Sequence, residues 1–310
     1  MHDPKAILRT SANRAFTLIE IMVATVIMVI LVGFFIQITS EVLKVWNRSS
    51  GKLAANAEAR IAMDLLTRDL ENAVFSNNQL QWLRAENTTL AGVGGTASNT
   101  VAVRMFSHAS DSESPSGGIC AIAYQLDYAN PIDGSIAAPS SGAVDSRVFI
   151  LYRLLVEPAP TFNDLMGTAV QQELTAQAAP TWSSGIIKGA SGANYLACNI
   201  IEFEIDFHVM DDGDSSTPTL VSGAGASGAT AVIYGGIGAN VGPQATLVAN
   251  QNPLVYAEIT LKVISDEGMK QLQAIDLVAT TAGKDAQIDE IILQNSETFI
   301  RRVNLASRPI

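Results

Sequence analysis

Residues 21–36 read IMVATVIMVILVGFFI, with no charged side chain, and Glu20 stands immediately before them. Extended to Phe16 and Ile38, the run is long enough to cross a bilayer, which takes about 20 residues. Glu20 lies inside that run, where a carboxylate costs roughly 2–3 kcal/mol unless it is paired or near the interface. A plain anchor has no use for such a group, so Glu20 reads as functional. A cleaved secretory signal would need small residues just after the apolar core. Gln37-Ile38-Thr39-Ser40-Glu41 offers no such site.

Working outward, no proline occurs between Pro4 and Pro115. A helix can therefore run from Phe16 to about Phe75, on the order of 90 Å at 1.5 Å per residue. Bends are possible at Gly33 and at Ser49-Ser50-Gly51. Its second half is amphipathic. Ile61, Leu65, Leu66, Leu70 and Val74 fall at helical spacing on one face, with Glu58, Arg60, Asp64, Arg68 and Glu71 on the rest. Such a half belongs on a globular domain outside the membrane. Arg68-Asp69-Leu70 reads as a solvated helix face with i,i+4 charge pairs.

Arg14-Ala15-Phe16-Thr17-Leu18-Ile19-Glu20 resembles the type IV prepilin cleavage and methylation motif. The motif has a short basic leader, a small residue, an aromatic at mature position one and Glu at mature position five. Here the leader is 1–15, carrying Lys5, Arg9 and Arg14, and Ala15 stands where the family usually has Gly. The resemblance implies cleavage between Ala15 and Phe16 and N-methylation of Phe16. It also implies that Glu20 acts in assembly by meeting the new amine of a neighbouring subunit. Residues 58–74 resemble the R-x-x-x-x-L-x-R-D-L-x-x-A pattern of J-type minor pseudopilins of type II secretion. The run Thr39 to Leu70 is also similar to the prepilin-type proteins called Verru_Chthon cassette protein C.

After Val74 the period changes to two. Thr100–Phe106, Cys120–Tyr128, Arg147–Val156, Val255–Val263 and Thr298–Leu305 read as strands, and Ile288–Leu293 as a short helix. Ile201 to Val209 alternates strictly, so one face is buried and one wet. Stretches rich in Ser, Gly, Pro and Ala separate them: 108–118, 129–146, 157–185 and 211–253. The expected fold is α+β and pilin-like, a long helix on antiparallel sheet. The expected division is a leader at 1–15, a membrane or filament-core helix at 16–40, an amphipathic half at 41–76 and a β-rich extracytoplasmic domain at 77–310.

Composition excludes other classes. The chain has 310 residues, 48% hydrophobic and 16% charged, so a disordered tail is excluded as its main state. One apolar block cannot make a multispan channel. A net charge of −11 offers no general nucleic-acid surface. Two cysteines and three histidines are too few at ligand spacing for a common zinc site. Gly223-Ala224-Gly225-Ala226-Ser227-Gly228 fits G-x-G-x-x-G but lacks the following helix and the acidic residue. No P-loop, HExxH or GxSxG is present, so no enzyme and no cofactor is expected. Cys120 and Cys198 could form a disulfide outside the cytoplasm. Asp211, Asp212 and Asp214 are weak calcium candidates without EF-hand spacing.

The functional expectation is a minor pilin or pseudopilin of a type IV pilus-like or type II secretion filament, tip-like in position. Its expected location is the inner membrane, single pass, with the N-terminus cytoplasmic and the C-terminal domain periplasmic. The resemblance implies other pilins, a prepilin peptidase and an inner-membrane assembly platform as partners. The alternative is a membrane-tethered extracytoplasmic binding module that does not assemble.

Overall fold

The computed structural model describes residues 17–75, 81–91, 97–109, 111–112, 118–137, 145–166, 184–209, 219–223, 230–234, 238–241, 254–278 and 284–305. By internal contacts the chain divides into two units, 1–49 and 50–310. The architecture is α+β. Helix α1 spans Leu18–Glu71. In 18–49 every side chain of α1 is exposed, and buried positions begin at Ala55.

Within 50–310 the buried stripe of α1 is Ala55, Ala59, Ala62, Met63, Leu66, Thr67, Asp69 and Leu70. Three alanines lead it, and short side chains let a helix backbone approach its partner closely. Leu66 and Leu70 are buried as the periodicity predicts. Ile61 is 62% exposed and is a correction to that pattern. A hydrophobic residue at the margin of a wide stripe buries only if something packs over it, and here nothing among the described residues does. The helix ends after Glu71, where the backbone bonds shift to a strand. Val74 N–H donates to Phe106 O, His108 N–H donates to Asn72 O, and Ala73 bridges to Ser107.

The strands are β1 (Gln81–Ala91), β2 (Ala97–Ser107), β3 (Cys120–Ala129), β4 (Val148–Val156), β5 (Tyr195–Cys198), β6 (Ile200–Val209), β7 (Thr219–Gly223), β8 (Thr230–Tyr234), β9 (Gly238–Val241), β10 (Leu254–Ile264) and β11 (Ser296–Asn304). One path runs β11-β10-β6-β2-β1-β8-β9; from β2 a second path continues through β3, β4 and β5, and β7 pairs β6. Among the described residues all pairings are antiparallel except the β2–β6 contact at Thr100 and Phe203. Two helices, α2 (Asp266–Val278) and α3 (Lys284–Asn295), connect β10 to β11.

β6 keeps its predicted alternation. Ile201, Phe203, Ile205 and Phe207 are buried, while Glu202, Glu204, Asp206 and His208 are half-exposed. Several regions differ from expectation, β5 (Tyr195–Cys198) among them. β1 arises in a stretch given no element. α2 follows β10 directly, with Asp266 and Glu267 in its first turn, where acidic groups suit the helix dipole. β7, β8 and β9 occupy parts of 211–253, which composition alone marks as loop. Strand pairing is non-local, so Gly- and Ala-rich segments become strands when a neighbour supplies the ladder.

Candidate functional site

Thr17 precedes the first helical residue, and Glu20 is the third. Thr17 N–H and Thr17 Oγ1 both donate to Glu20 Oε2, at 2.9 and 3.0 Å, and Glu20 N–H donates to Thr17 Oγ1 at 3.3 Å. This is a reciprocal capping box of the form T-x-x-E. The T-x-x-E spacing that makes this cap is present in the sequence at Thr17-Leu18-Ile19-Glu20. Beyond it α1 is long and apolar enough to cross a membrane, by length and composition. Ala15 and Phe16 lie outside the described residues.

The second half of α1 carries the polar groups that join it to the strands. Asp69 is 1% exposed. Tyr124 Oη on β3 donates to Asp69 Oδ2 at 2.5 Å, and Arg153 Nε on β4 donates to the same oxygen at 2.8 Å. Arg153 Nη2 reaches Asp69 Oδ1 at 3.2 Å. Arg153 also donates to Asp111, at 2.7 and 3.0 Å. Ser107 Oγ donates to the Asp69 carbonyl at 2.7 Å. Burial and the neighbouring Asp69 carboxylate push the Tyr124 hydroxyl well up, so it stays a donor. Burial works against the Arg153 charge, but the carboxylates of Asp69 and Asp111 outweigh it. The expectation of a solvated face at Arg68-Asp69-Leu70 is corrected here, because Asp69 points into a cluster supplied by strands far away in sequence.

A second row of contacts runs from the end of α3 along β11. Lys52 Nζ donates to Gln294 O at 3.2 Å, Asn56 donates to Glu297, the Arg60 guanidinium lies 5.9 Å from the Phe299 ring centroid, and Arg301 pairs with Asp64. The helix residues advance in steps of four and the strand residues 297, 299 and 301 in steps of two. Four helical residues rise about 6 Å and two strand residues about 6.6 Å, so α1 and β11 keep register over about two turns, from Asn56 to Asp64. Glu58 faces the other way. Its Oε2 accepts from Tyr195 Oη at 3.0 Å, Cys198 N–H at 3.1 Å and Cys198 Sγ at 3.3 Å.

Cys120 and Cys198 are both free. The possible disulfide between them is not formed, and the ladders explain why. Cys198 lies opposite Ile150, and Ile150 lies opposite Asp127, seven positions along β3 from Cys120. That offset is roughly 20 Å along the strand, far beyond the reach of a disulfide. Burial, with Glu58 nearby, pushes the Cys198 thiol up to about 11. Asp211, Asp212 and Asp214 lie outside the described residues, and among the described residues no group of three acidic, His or Cys side chains could hold a metal. His108 is exposed, while His208 stacks on Tyr256 with centroids 4.2 Å apart.

The sequence profile of the prokaryotic N-terminal methylation motif matches residues 10–36. No curated protein matches the chain. A solved structure it resembles is the type IV-like pilin TTHA1219 from Thermus thermophilus, at 8% identity and a TM-score of 0.32, over 82% of this chain and 98% of that one.

Proposed function

We propose that this chain is a type IV prepilin-like subunit, cut between Ala15 and Phe16, N-methylated at Phe16, and held in the inner membrane by the first half of α1. The observation that carries the reading is the methylation motif at 10–36 running into a helix long and apolar enough to span a bilayer. The N-terminus lies in the cytoplasm and the 50–310 unit outside it. A prepilin peptidase and other pilins or pseudopilins are the partners, with an inner-membrane platform for assembly. The subunit enters a pilus-like or type II secretion filament, at a tip-like position.

Glu20 connects these steps physically. Both capping bonds from Thr17 fall on Oε2, which leaves Oε1 to accept from a cation. In an apolar filament core that cation is the Phe16 amine of a neighbouring subunit. Removing one partner from a buried ion pair costs on the order of 3–5 kcal/mol, more than a hundredfold in an equilibrium.

N-terminal mass analysis tests the processing. A mature chain starting at methylated Phe16 is expected, and an intact Met1 or a start beyond Ile36 would sink the reading. Cross-linking to partner pilins tests assembly. Glu20→Gln is expected to keep membrane insertion and processing but lose cross-linked product. Equal yields from wild type and Glu20→Gln would favour a tethered binding module that does not assemble.

A further inference from the structure

Past the charge-free stretch, α1 carries a short amphipathic turn that lies wholly within 1–49. Lys44 and Arg48 stand four residues apart, hence on one side of the helix. Val42, Val45, Trp46 and Ser49, with Glu41 at the rim, line a shallow and mostly apolar notch on the adjoining side. Trp46 is 70% exposed, and so is the Lys44 side chain. Lys44 Nζ reaches back along the helix to Glu41 Oε1 at 3.5 Å, one turn toward the N-terminus. Helical side chains lean in that direction as a rule.

In the membrane-anchored reading, on which this inference rests, the bilayer lies on the N-terminal side of this turn. With the hydrocarbon edge near Ile38, Lys44 and Arg48 sit about 9 and about 15 Å farther along the axis. Long basic stems that lean back by a turn lower their charged heads toward the phosphate layer. The Trp46 indole, two residues from each and so on the opposite side of the helix, lies at the same depth and suits the same layer. Leader removal takes away Lys5, Arg9 and Arg14, so the basic side chains nearest the mature span are those on the far side.

We propose that Lys44 and Arg48, at the depth of the Trp46 indole, hold the phosphate of an anionic phospholipid headgroup in the outer leaflet, fixing the depth and rotation of the unassembled subunit. Each basic side chain at a charged bilayer surface contributes through the surface potential. Glu41 opposes the contact, because it already takes part of the Lys44 charge.

The test is hydrogen exchange of the amides of residues 41–48 in the full chain, reconstituted in vesicles. Phosphatidylcholine vesicles are compared with ones holding about one third phosphatidylglycerol. Exchange is expected to slow by about tenfold in the anionic vesicles and to return in molar salt. The double variant Lys44→Gln/Arg48→Gln should lose the difference, and Glu41→Gln should enlarge it. Equal exchange in the two vesicle types, with the chain floating alongside both, overturns the headgroup contact and leaves the anchor reading intact. A chain that floats with neither overturns the anchor reading and this inference with it.

Discussion

Two sets of polar contacts fasten α1 to the strands of the 50–310 unit, and they differ in burial rather than in chemistry. Around Asp69 the carboxylate, the Arg153 guanidinium and the Tyr124 hydroxyl are all removed from water. Along β11 the partners are in water: the Asp64 and Arg301 side chains are 62% and 44% exposed. A buried pair is costly to break, because the surviving partner cannot return to water. An exposed pair loses little, because water and salt replace it. The Asp69 end should therefore act as a fixed point and the β11 row as a guide that sets register.

The largest effect should come from the fixed point. Asp69→Ala leaves Arg153 and Tyr124 buried without their shared acceptor, and a loss of about 3–5 kcal/mol is expected in denaturant unfolding. A triple change, Asp69→Leu with Tyr124→Phe and Arg153→Met, should recover most of that loss, since an apolar cluster of similar size has no charge to strand. If the single and triple variants unfold alike, the cluster is not a coupled unit.

Next in size is packing. Leu66→Ala, at a fully buried position one turn before Leu70, should cost about 2–5 kcal/mol. Leu53→Ala, at a position 68% exposed, should stay within about 0.5 kcal/mol. Similar losses at the two sites would mean that Leu53 is covered in solution. Cutting the β11 row by Arg301→Ala should cost no more than about 1 kcal/mol, and the loss should shrink as salt is raised.

The smallest effect sharpens the comparison from the opposite side. On the outer face of β6, Asp206 stands directly across from Glu258 in the ladder, and like charges so placed are destabilising. Burial, and then Glu258 against the relief given by His208, holds the Asp206 carboxyl above its usual range. Burial, with Glu202 and Asp206 beside it, does the same to Glu204. A carboxyl raised in the folded state binds its proton first there as pH falls. Its destabilisation is therefore full at neutral pH and is relieved on acidification through the raised folded value toward the ordinary carboxylate range. Asp145 works in the other direction. Burial raises it, but the Arg147 hydrogen bonds win and hold it low, so its stabilisation is lost only at more acid pH. Asp206→Asn should add about 0.5 kcal/mol at neutral pH, after allowance for screening of a half-exposed group. The gain should vanish in mild acid, and thermal melts across that range measure it. A loss at neutral pH would show that the acidic face has cations the described contacts do not include.

How far reading alone could go depends on the range of the physics involved. The apolar run at 21–36, Glu20 immediately before it and Thr17 three residues earlier are properties of neighbouring residues, so the motif, the long helix and its cap are written locally. The alternation of β6 is local too, and its buried and wet faces came out as the pattern requires. Burial of one particular charge is not local. Asp69 looks like any residue of a charged helix until Arg153, 84 positions later, and Tyr124, 55 positions later, are brought to it by β4 and β3. The same holds for Ile61, which kept the apolar spacing but met no surface, and for β7 to β9, whose weak strand signals needed a neighbouring ladder. Cys120 and Cys198 were a plausible pair by compartment and number, and only the strand register separated them. Short-range periodicity fixes which elements exist because each turn or pleat repeats its own geometry. Which polar group is withdrawn from water depends on chain segments that meet only when the sheet closes on the helix, so the fold alone decided where α1 is fastened.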